Sequence, residues 1–431
     1  MAKTLSEDRH PRGMYFLALT EICQRFAFWG VANLLVLFLV QHHRFADARA
    51  DHYFGVFTGA AFILPVLGGW IADKMNYRIP VIWGMLMSAI GCFLIATGSV
   101  SMVVLGLALI ALGGSIFTPS VYALLGSLYR QKHHLRDSGF SIYYSSVNIG
   151  VFLAMIILGS IGQSNHWNFA FLVAGIVQLI GFIPFRGAQK YFEIKHITPI
   201  PYALGKKQTS MHLHEKRRVW VIMILCFFSI LFWMAYNQGG SSMNLFALRY
   251  TDRYIGSFEM PTAWLLSSES LYLILFAFPL AKLYTFLAKR KLDPTPPLKS
   301  ALSLFAIGIC FLIMCIGSSQ IPSGSMTAAI SPGYLFGAYA LMALGEMLIA
   351  PIGLSLITHI SPRRFTALLI GVWYLCIGIA FYLGGVIAPL MSVVKDINWF
   401  FSIFVILSFL FGVILLAIVN KLNKMRHLQT L

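Results

Sequence analysis

Four charged side chains lie deep inside apolar stretches of this sequence: Glu21, Arg25, Glu269 and Glu346. A charge at that depth in a membrane is costly where it faces lipid, so such residues normally line a bundle interior or a water-filled cavity. Carboxyl groups in that setting bind cations and carry protons. We therefore take these residues as candidates for binding a solute and for proton coupling.

Glu21 and Arg25 are four residues apart, which is the spacing of an ion pair on one helix face. The pair has two interpretations, a contact that only fixes helix packing or a part of a polar cavity. In either case we expect Glu21 to stay ionised against Arg25.

Glu346 has Gly345, Pro351 and Gly353 around it, and this favours an irregular helix that lines a cavity. Burial and neighbouring like charges favour the protonated form of a carboxyl group. We therefore expect Glu346 or Glu269 to carry a proton near neutral pH.

The elements that position these residues are twelve apolar stretches. About 20 apolar residues in a helix match the thickness of the hydrocarbon layer. A content of 58% hydrophobic and 11% charged residues would be unusual for a soluble domain, and the stretches lack the alternation of a membrane β-barrel. The predicted spans are 14–40, 53–72, 80–99, 102–128, 138–161, 167–186, 218–247, 260–287, 299–318, 332–358, 365–390 and 398–421.

The loops carry lysine and arginine mainly on alternate sides. With the N-terminus inside, 26 of the 32 Lys and Arg residues are cytoplasmic, and five are external. This bias predicts a multi-pass protein of a bacterial inner membrane with both termini in the cytoplasm. The net charge of +17 then reflects contact with anionic lipid rather than nucleic acid.

The chain divides near its middle at a polar, basic segment. We expect a six-helix bundle at residues 1–186, a cytoplasmic linker at 187–217 and a second bundle at 218–431. Two halves of this kind are typical of a transporter that alternates access to a central site.

The loop after the second span contains Gly69, Asp73, Lys74 and Arg78, and resembles the GxxxD(R/K)xxxR/K loop of the major facilitator superfamily. The resemblance implies the major facilitator fold, an all-α membrane protein with 12 transmembrane helices in two bundles. It also implies that this loop takes part in conformational change.

Further motifs resemble those of the proton-dependent oligopeptide transporter family. Residues 21–29, EICQRFAFW, are similar to its ExxERFxYY motif, and residues 140–150, FSIYYSSVNIG, to FYxxINxG. Residues 232–246, FWMAYNQGGSSMNLF, are similar to FWxxFEQxxxSxNLF. The segments PTAW at 261–264, GEMLIAPIGLS at 345–355 and GVW at 371–373 extend the resemblance in order over nearly the whole chain.

The resemblance implies a peptide-binding site. Asn148, Glu269 and Glu346 match the positions that hold the amino end of a peptide, and Arg25 matches one that holds its carboxylate. A carboxylate at position 269 departs from the family, where an amide is usual. The aromatic residues expected to shape side-chain pockets are Trp29, Phe62, Tyr144, Trp264 and Trp373.

Other family positions have lost their charges. Gln24 replaces the second glutamate of ExxER, Thr118 a lysine, Ala32 an arginine and Asn237 an acid of the seventh span. Phe28, Trp29 and Phe62 stand at tyrosine positions. The carboxylate clamp is thinned, and Glu21, Glu269 and Glu346 remain as candidates for proton coupling.

The sequence thus predicts a secondary transporter for di- or tripeptides or other small amine-bearing solutes, coupled to protons through an altered network. The alternatives are a facilitator without proton coupling, a carrier of a non-peptide solute and a non-transporting membrane sensor. No nucleophile, base and orienting group occur together, so an enzyme is not expected. We expect a monomer in the lipid bilayer, without cofactor or metal and with no nucleic-acid partner.

Overall fold

The computed structural model describes residues 10–129, 135–192, 213–292, 294–361 and 366–427. The helices up to residue 192 are α1 (Arg12–Gln41), α2 (Asp47–Ile63), α3 (Pro65–Asp73), α4 (Arg78–Ala96), α5 (Val100–Leu128), α6 (Arg136–Gln163), α7 (Trp167–Ile180) and α8 (Phe182–Ala188), with a 3-10 turn at Gln189–Tyr191.

The second half contains α9 (Leu213–Tyr236), a 3-10 turn at Asn237–Gly240, α10 (Ser242–Arg249), α11 (Thr262–Lys289), α12 (Pro296–Ser318), α13 (Gly333–Ile360), α14 (Thr366–Ile387), α15 (Leu390–Val393) and α16 (Ile397–His427). Between α10 and α11 lies an antiparallel hairpin of β1 (Tyr254–Ile255) and β2 (Phe258–Glu259).

The prediction of an all-α protein with twelve membrane spans is confirmed. In the described part of the chain, twelve helical stretches are long and apolar enough to cross a membrane, and each overlaps a predicted span. Large apolar side chains are exposed along them, among them Ile183 at 70%, Phe278 at 66% and Trp399 at 64%. A soluble monomer rarely exposes so much apolar surface, whereas a lipid-facing surface requires it.

Two predicted details of the spans are wrong. The second span begins at Asp47 rather than at residue 53. Its first turns contain Asp51, a charged residue that hydropathy places outside a span but that the structure buries. The tenth span is not irregular around Glu346, since α13 continues unbroken from Gly333 to Ile360. Neighbouring helices allow a proline within a membrane helix without breaking it.

The irregular backbone lies instead in the seventh span. There α9 ends at Tyr236, and the 3-10 turn and Ser241, with φ −118° and ψ −98°, separate it from α10. The turn contains Gly239 and Gly240, which lower the helical propensity at this point.

The chain divides into two compact units. The first unit contains Met1–Phe38 and Ala60–Lys207, and the second contains Leu39–Gly59 and Gln208–Leu431. The end of α1 and the first part of α2 thus group with the C-terminal helices. Most of the predicted linker, residues 193–212, lies outside the described residues, and so do both extreme termini.

Within the first unit, α4 and α5 approach until their backbones touch. A Cβ atom on Gly84 would lie 2.6 Å from the carbonyl oxygen of Gly113, and one on Gly91 would lie 2.6 Å from that of Gly106. Small residues at such crossings are the usual means of packing membrane helices closely. A buried cluster that includes Met14, Phe117 and Tyr143 then joins this helix pair to α1 and α6.

Candidate functional site

The ion pair predicted on α1 is present in the first unit. Arg25 donates from Nε to Glu21 Oε1 at 2.6 Å, and from Nη2 to the hydroxyl oxygen of Thr118 at 3.5 Å. The hydroxyl group of Tyr143 on α6 donates to the other oxygen of Glu21. The Glu21 side chain is fully buried and that of Arg25 is 15% exposed. We call these four residues the Arg25 cluster.

Arg25 keeps donors for a further partner. A guanidinium group has five N–H donors, and the hydrogen bonds in the Arg25 cluster use two of them. Glu21, by contrast, has both oxygens occupied, one by Arg25 and one by Tyr143. The arrangement suits an arginine that binds an anion while the glutamate fixes its orientation.

Gln24 has a role that the sequence did not predict. Its side-chain oxygen accepts a hydrogen bond from Nε2 of Gln178 on α7, and the same nitrogen lies 3.5 Å from the carbonyl oxygen of Met85. Both glutamine side chains are buried. The residue at this motif position therefore joins α1 to α7.

The α6 motif lies against α1. A Cβ atom on Gly150 would lie 2.5 Å from the carbonyl oxygen of Ile22 and 3.0 Å from Cβ of Arg25, so the glycine allows a close approach beside the Arg25 cluster. Asn148 is buried, with its Nδ2 3.4 Å from the carbonyl oxygen of Tyr144, and Tyr144 itself is 40% exposed.

The aromatic residues at the family's tyrosine positions form their own contacts. Phe28 packs edge-on against Trp29 at 5.2 Å between ring centroids, and Trp29 lies 6.4 Å from Phe62. Ala32, one helical turn after Phe28, is fully buried. Of these side chains, Trp29 alone carries a hydrogen-bond donor, its indole N–H.

In the second unit, the structure brings Glu269 of α11 and Glu346 of α13 together. Their carboxyl groups lie within hydrogen-bonding range of each other. Such a bond requires a proton on one of the two groups, so the arrangement of this acid pair is suited to holding one shared proton. Glu269 is buried, and its oxygens also lie 3.1 Å from the hydroxyl group of Tyr236 and 3.5 Å from that of Ser270.

No basic side chain in the described part of the chain acts on Glu269, whose charged neighbour is Glu346. Aromatic rings enclose this region through Tyr236, which stacks on Phe232 at 6.2 Å and on Phe381 at 6.4 Å. A carboxyl pair beside aromatic faces is suited to an ammonium group, because both attract a cation.

Asn237 and Gln238 bind the backbone of α14. Asn237 donates from Nδ2 to the carbonyl oxygen of Phe381 at 2.9 Å, and Gln238 donates from Nε2 to that of Gly384 at 3.0 Å. The Gln238 side-chain oxygen accepts a hydrogen bond from Ser242 at 2.7 Å. These bonds stabilise the break between α9 and α10, so the motif residues hold the irregular segment in place.

The two remaining tryptophans of the predicted site are on α11 and α14. Trp264 is at the start of α11, where its ring packs against Phe258 of the hairpin at 5.8 Å. Trp373 is buried on α14.

Two basic residues of the predicted conformational loop, which contains Gly69, Asp73, Lys74 and Arg78, make contacts in the structure. Lys74 lies with Nζ 3.4 Å from the ring centroid of Trp70, and Arg78 donates a hydrogen bond to the carbonyl oxygen of Phe192. Close packing occurs at Gly68, where a Cβ atom would lie 2.1 Å from the carbonyl oxygen of Ser115, whereas at Gly69 the nearest atom is 3.7 Å away. The side chain of Asp73 lies outside the described part of the structure.

The sequence analysis did not predict an ion pair between α2 and α10. Arg249 of α10 forms a two-point ion pair with Asp47, with Nη2 to Oδ1 at 2.7 Å and Nη1 to Oδ2 at 2.5 Å. Asp51, one turn further along α2, is only 1% exposed. Two features of the sequence could have indicated this contact. Asp47 and Asp51 are four residues apart at the start of the second span, and Arg249 lies at the end of the seventh span.

Within the described residues, no group of three or more His, Cys, Asp or Glu side chains is arranged to hold a metal ion.

Comparisons with known proteins agree with this geometry. The chain is 27% identical to the peptide transporter YePEPT of Yersinia enterocolitica, over 85% of each chain. It is 26% identical to the uncharacterised transporter YclF of Bacillus subtilis, over 94% of this chain and 93% of that protein. It is 25% identical to dipeptide and tripeptide permease A of Escherichia coli, over 92% and 87%.

Solved structures share the fold. A crystal structure of a peptide transporter with bound sulfate superposes with a TM-score of 0.87 at 23% identity, over 97% of this chain and 96% of that one. A POT family transporter in complex with 5-aminolevulinic acid gives a TM-score of 0.84 at 20% identity, over 96% and 97%. The model of the POT family matches residues 78–203 and 194–403, which is more than half of the sequence. With the family's motifs in place on a twelve-span major facilitator fold, the chain belongs to the POT family of membrane transporters.

Proposed function

We propose that this transporter takes up di- and tripeptides or other small amine-bearing solutes by alternating access, and that protons drive the uptake. The names of relatives in Yersinia enterocolitica and Escherichia coli support the substrate class. The observation that carries the proposal is the acid pair, in which Glu269 is buried beside a second carboxyl group and, among the described residues, has no basic neighbour.

An ammonium group supplies the positive charge that the acid pair lacks. Two carboxyl groups with one shared proton carry one negative charge, and a bound cation compensates it. The departure from the family at position 269 increases the negative charge available to an amino group. The pair therefore selects for a protonated amine.

Arg25 is the proposed partner of a substrate carboxylate. Its remaining donors support this role, but Ala32, Thr118 and the apolar rings of Phe28 and Trp29 supply few further donors. Free peptides therefore gain little from their carboxylate, and amidated peptides or small amines compete with them.

The shared proton of the acid pair is the proposed coupling proton. The acid pair with its shared proton keeps one negative charge for an ammonium group, so proton and substrate are bound together and carried in the same direction.

Uptake into proteoliposomes tests the proposal. Glu269→Gln and Glu346→Gln each remove one charge from the acid pair, and we expect at least a tenfold loss of dipeptide uptake. Glu259→Gln makes the same chemical change in an exposed hairpin ion pair with Arg253 and should keep wild-type uptake. Wild-type uptake by both acid-pair variants would refute the role of the pair.

A ligand screen identifies the solute class independently of transport. A ligand that binds only the folded protein raises its melting temperature. Peptides, amidated peptides and amines should stabilise the purified protein, whereas a set of stabilising ligands rich in polycarboxylates would contradict the proposed charge preference.

A facilitator without proton coupling is the second candidate. Gln24 is tied to Gln178 and Asn237 to the backbone of α14, so neither position contributes a titrating group. Uptake measured with and without a protonophore separates the two candidates, since only a symporter loses accumulation when the proton gradient collapses.

The loop charges support cytoplasmic termini, and the bacterial relatives support an inner-membrane location for this transporter. We propose that it functions as a monomer. Labelling of single cysteines introduced near each terminus tests the topology, and light scattering of the purified protein tests the oligomeric state.

A further inference from the structure

Asp51 is a buried acid that the proposed function does not use. It lies on the part of α2 that groups with the second unit, residues 47–59, and its exposure is 1%. Neither of its carboxyl oxygens has a hydrogen-bond partner among the described residues. An ionised carboxylate buried without a partner is costly, and protonation removes most of that cost.

Among the described residues, the base that acts on Asp51 is Arg249, and it already has a partner. The charged groups that act on Asp51 are Asp47 on its own helix and Arg249 on α10. Arg249 makes both of its close hydrogen bonds to Asp47. One guanidinium group thus faces two carboxyl groups, and ionisation of both would leave a surplus negative charge in a buried place.

The backbone around Asp51 lies against α14. A Cβ atom on Gly385 would lie 2.8 Å from the carbonyl oxygen of Asp51 and 2.4 Å from Cα of Gly55. Further along, a Cβ atom on Gly59 would lie 3.0 Å from both the carbonyl oxygen of Gly378 and Cβ of Tyr382. The backbone of residues 47–59 is thus packed against α14, and the Asp51 side chain is buried in this packed state.

We propose that Asp51 is a proton-binding site whose neutral form holds residues 47–59 of α2 against α14. Separation of the two segments admits water to the carboxyl group, which then ionises and releases its proton. The contact closes again when a proton returns. The inference rests on the proposed function, because alternating access supplies the movement that separates these segments.

The direction of the pH effect follows from linkage. The closed contact binds the proton of Asp51 more tightly than the open form does, so acidity favours the closed contact. As pH rises, the ratio of open to closed molecules increases by up to about tenfold per pH unit for one proton. The increase ends where the closed form also loses the proton.

Asp51 is distinct from the acid pair on α11 and α13. The charged residue that acts on Glu269 is Glu346, and those that act on Asp51 are Asp47 and Arg249. The proposed site therefore responds to pH without substrate and without the proton shared by the acid pair.

Spin-label distances measure the contact directly. Ala48→Cys on α2 and Ser392→Cys on α15 place labels at two exposed positions, in a background without the six native cysteines. Double electron–electron resonance on the full chain in lipid nanodiscs then gives the populations of short and long distances over a pH series. No solute is needed, so failure of peptide uptake would refute the proposed function while this measurement still decides the role of Asp51.

Asp51→Asn is the central variant, because asparagine keeps the shape of the neutral acid but does not titrate. We expect its short-distance population to stay high and to change less than twofold over the range in which the wild type opens. Asp252→Asn removes an exposed acid of the same unit and should behave as the wild type, which controls for the label and the pH series. A wild-type pH response in Asp51→Asn would overturn the proposal.

Two further variants keep the proposal falsifiable if Asp51→Asn folds poorly. Asp51→Glu retains an acid and should retain the pH response. Asp47→Asn leaves Arg249 with Asp51 as its carboxylate, which favours ionised Asp51 in the closed form, so the pH-dependent range should end at a lower pH. A range that extends to higher pH in Asp47→Asn, or no response in Asp51→Glu, would contradict the proposal.

Discussion

The side-chain amide of Gln178 donates a hydrogen bond to the side-chain oxygen of Gln24, and both residues are buried between α1 and α7. Gln24, which matches the second glutamate of the ExxER motif, is here part of a neutral packing contact. Its substitution therefore tests helix packing and charge together.

Gln24→Glu should destabilise the protein at neutral pH by about 1–3 kcal/mol, because it places an acid in a buried site whose side-chain partner, Gln178, is neutral. The folded protein would hold the proton of the new carboxyl group more tightly than the unfolded chain does. The loss of stability should therefore be absent below the ordinary Glu value of about 4.3 and grow as pH rises above it.

Melting temperatures over a pH series check this expectation. Gln320→Glu makes the same change at an exposed position and should shift the melting temperature little. A Gln24→Glu protein as stable as the wild type at pH 8 would show that position 24 tolerates a charge.

Gly150→Ala should loosen the contact between α1 and α6. Its methyl group would lie 2.5 Å from the carbonyl oxygen of Ile22, and backbone atoms cannot rotate away. We expect a cost of about 1–3 kcal/mol from overpacking, together with weaker substrate binding because Arg25 is displaced.

Gly114→Ala and Gly126→Ala are matched controls for Gly150→Ala, since a Cβ atom at either position meets nothing within 4 Å. Alanine has the higher helix propensity, so these variants should be neutral or slightly more stable. Melting temperature and ligand affinity are measured on the same samples. Equal stability of all three variants would contradict the close contact.

Hydropathy was enough to predict the twelve spans, because long apolar stretches have few other structures available in lipid. The intramembrane charges Glu269 and Glu346 were also visible, and the structure brings them together. The faces by which the helices contact each other depend on side-chain packing, and this packing is hard to predict from an apolar stretch.

The contacts of Gln178 and Tyr143 with α1 could not be predicted from the sequence. Each is a neutral polar residue within an apolar helix, and nothing in its local pattern indicates a partner on α1. Asp51 was missed for a different reason. Its charge placed it outside the predicted span, whereas contact with α14 and the nearby Arg249 allow its burial.

Asn237→Asp should not restore a useful acid at the end of α9. Asn237 donates a 2.9 Å hydrogen bond to the carbonyl oxygen of Phe381, and a carboxylate there would face that oxygen without a donor. We expect a loss of about 1–3 kcal/mol and slower uptake, because the break between α9 and α10 loses a tie to α14.

Asn76→Asp is the control for Asn237→Asp. The Asn76 side-chain oxygen accepts a bond from the backbone of Arg78 in an exposed turn, and a carboxylate accepts it equally well. Thermal melting and proton-driven uptake are the measurements. A gain of proton-driven uptake in Asn237→Asp without loss of stability would show that the position still accommodates a coupling acid.

Gly385→Ala should separate residues 47–59 of α2 from α14 without altering any titrating group. The added methyl group would lie 2.4 Å from Cα of Gly55 and 2.8 Å from both the amide nitrogen of Gly55 and the carbonyl oxygen of Asp51. All three are backbone atoms, so the helices must move apart, and we expect the long-distance population of the Ala48 and Ser392 label pair to increase at acidic pH.

Gly337→Ala, whose Cβ atom would meet only Ile313 at 3.6 Å, should leave the distances unchanged. Because the opening in Gly385→Ala comes from steric contact rather than from ionisation, acidification should close it less completely than it closes the wild type. Distances identical to those of the wild type would mean that the two helices do not touch at Gly55 and Gly385.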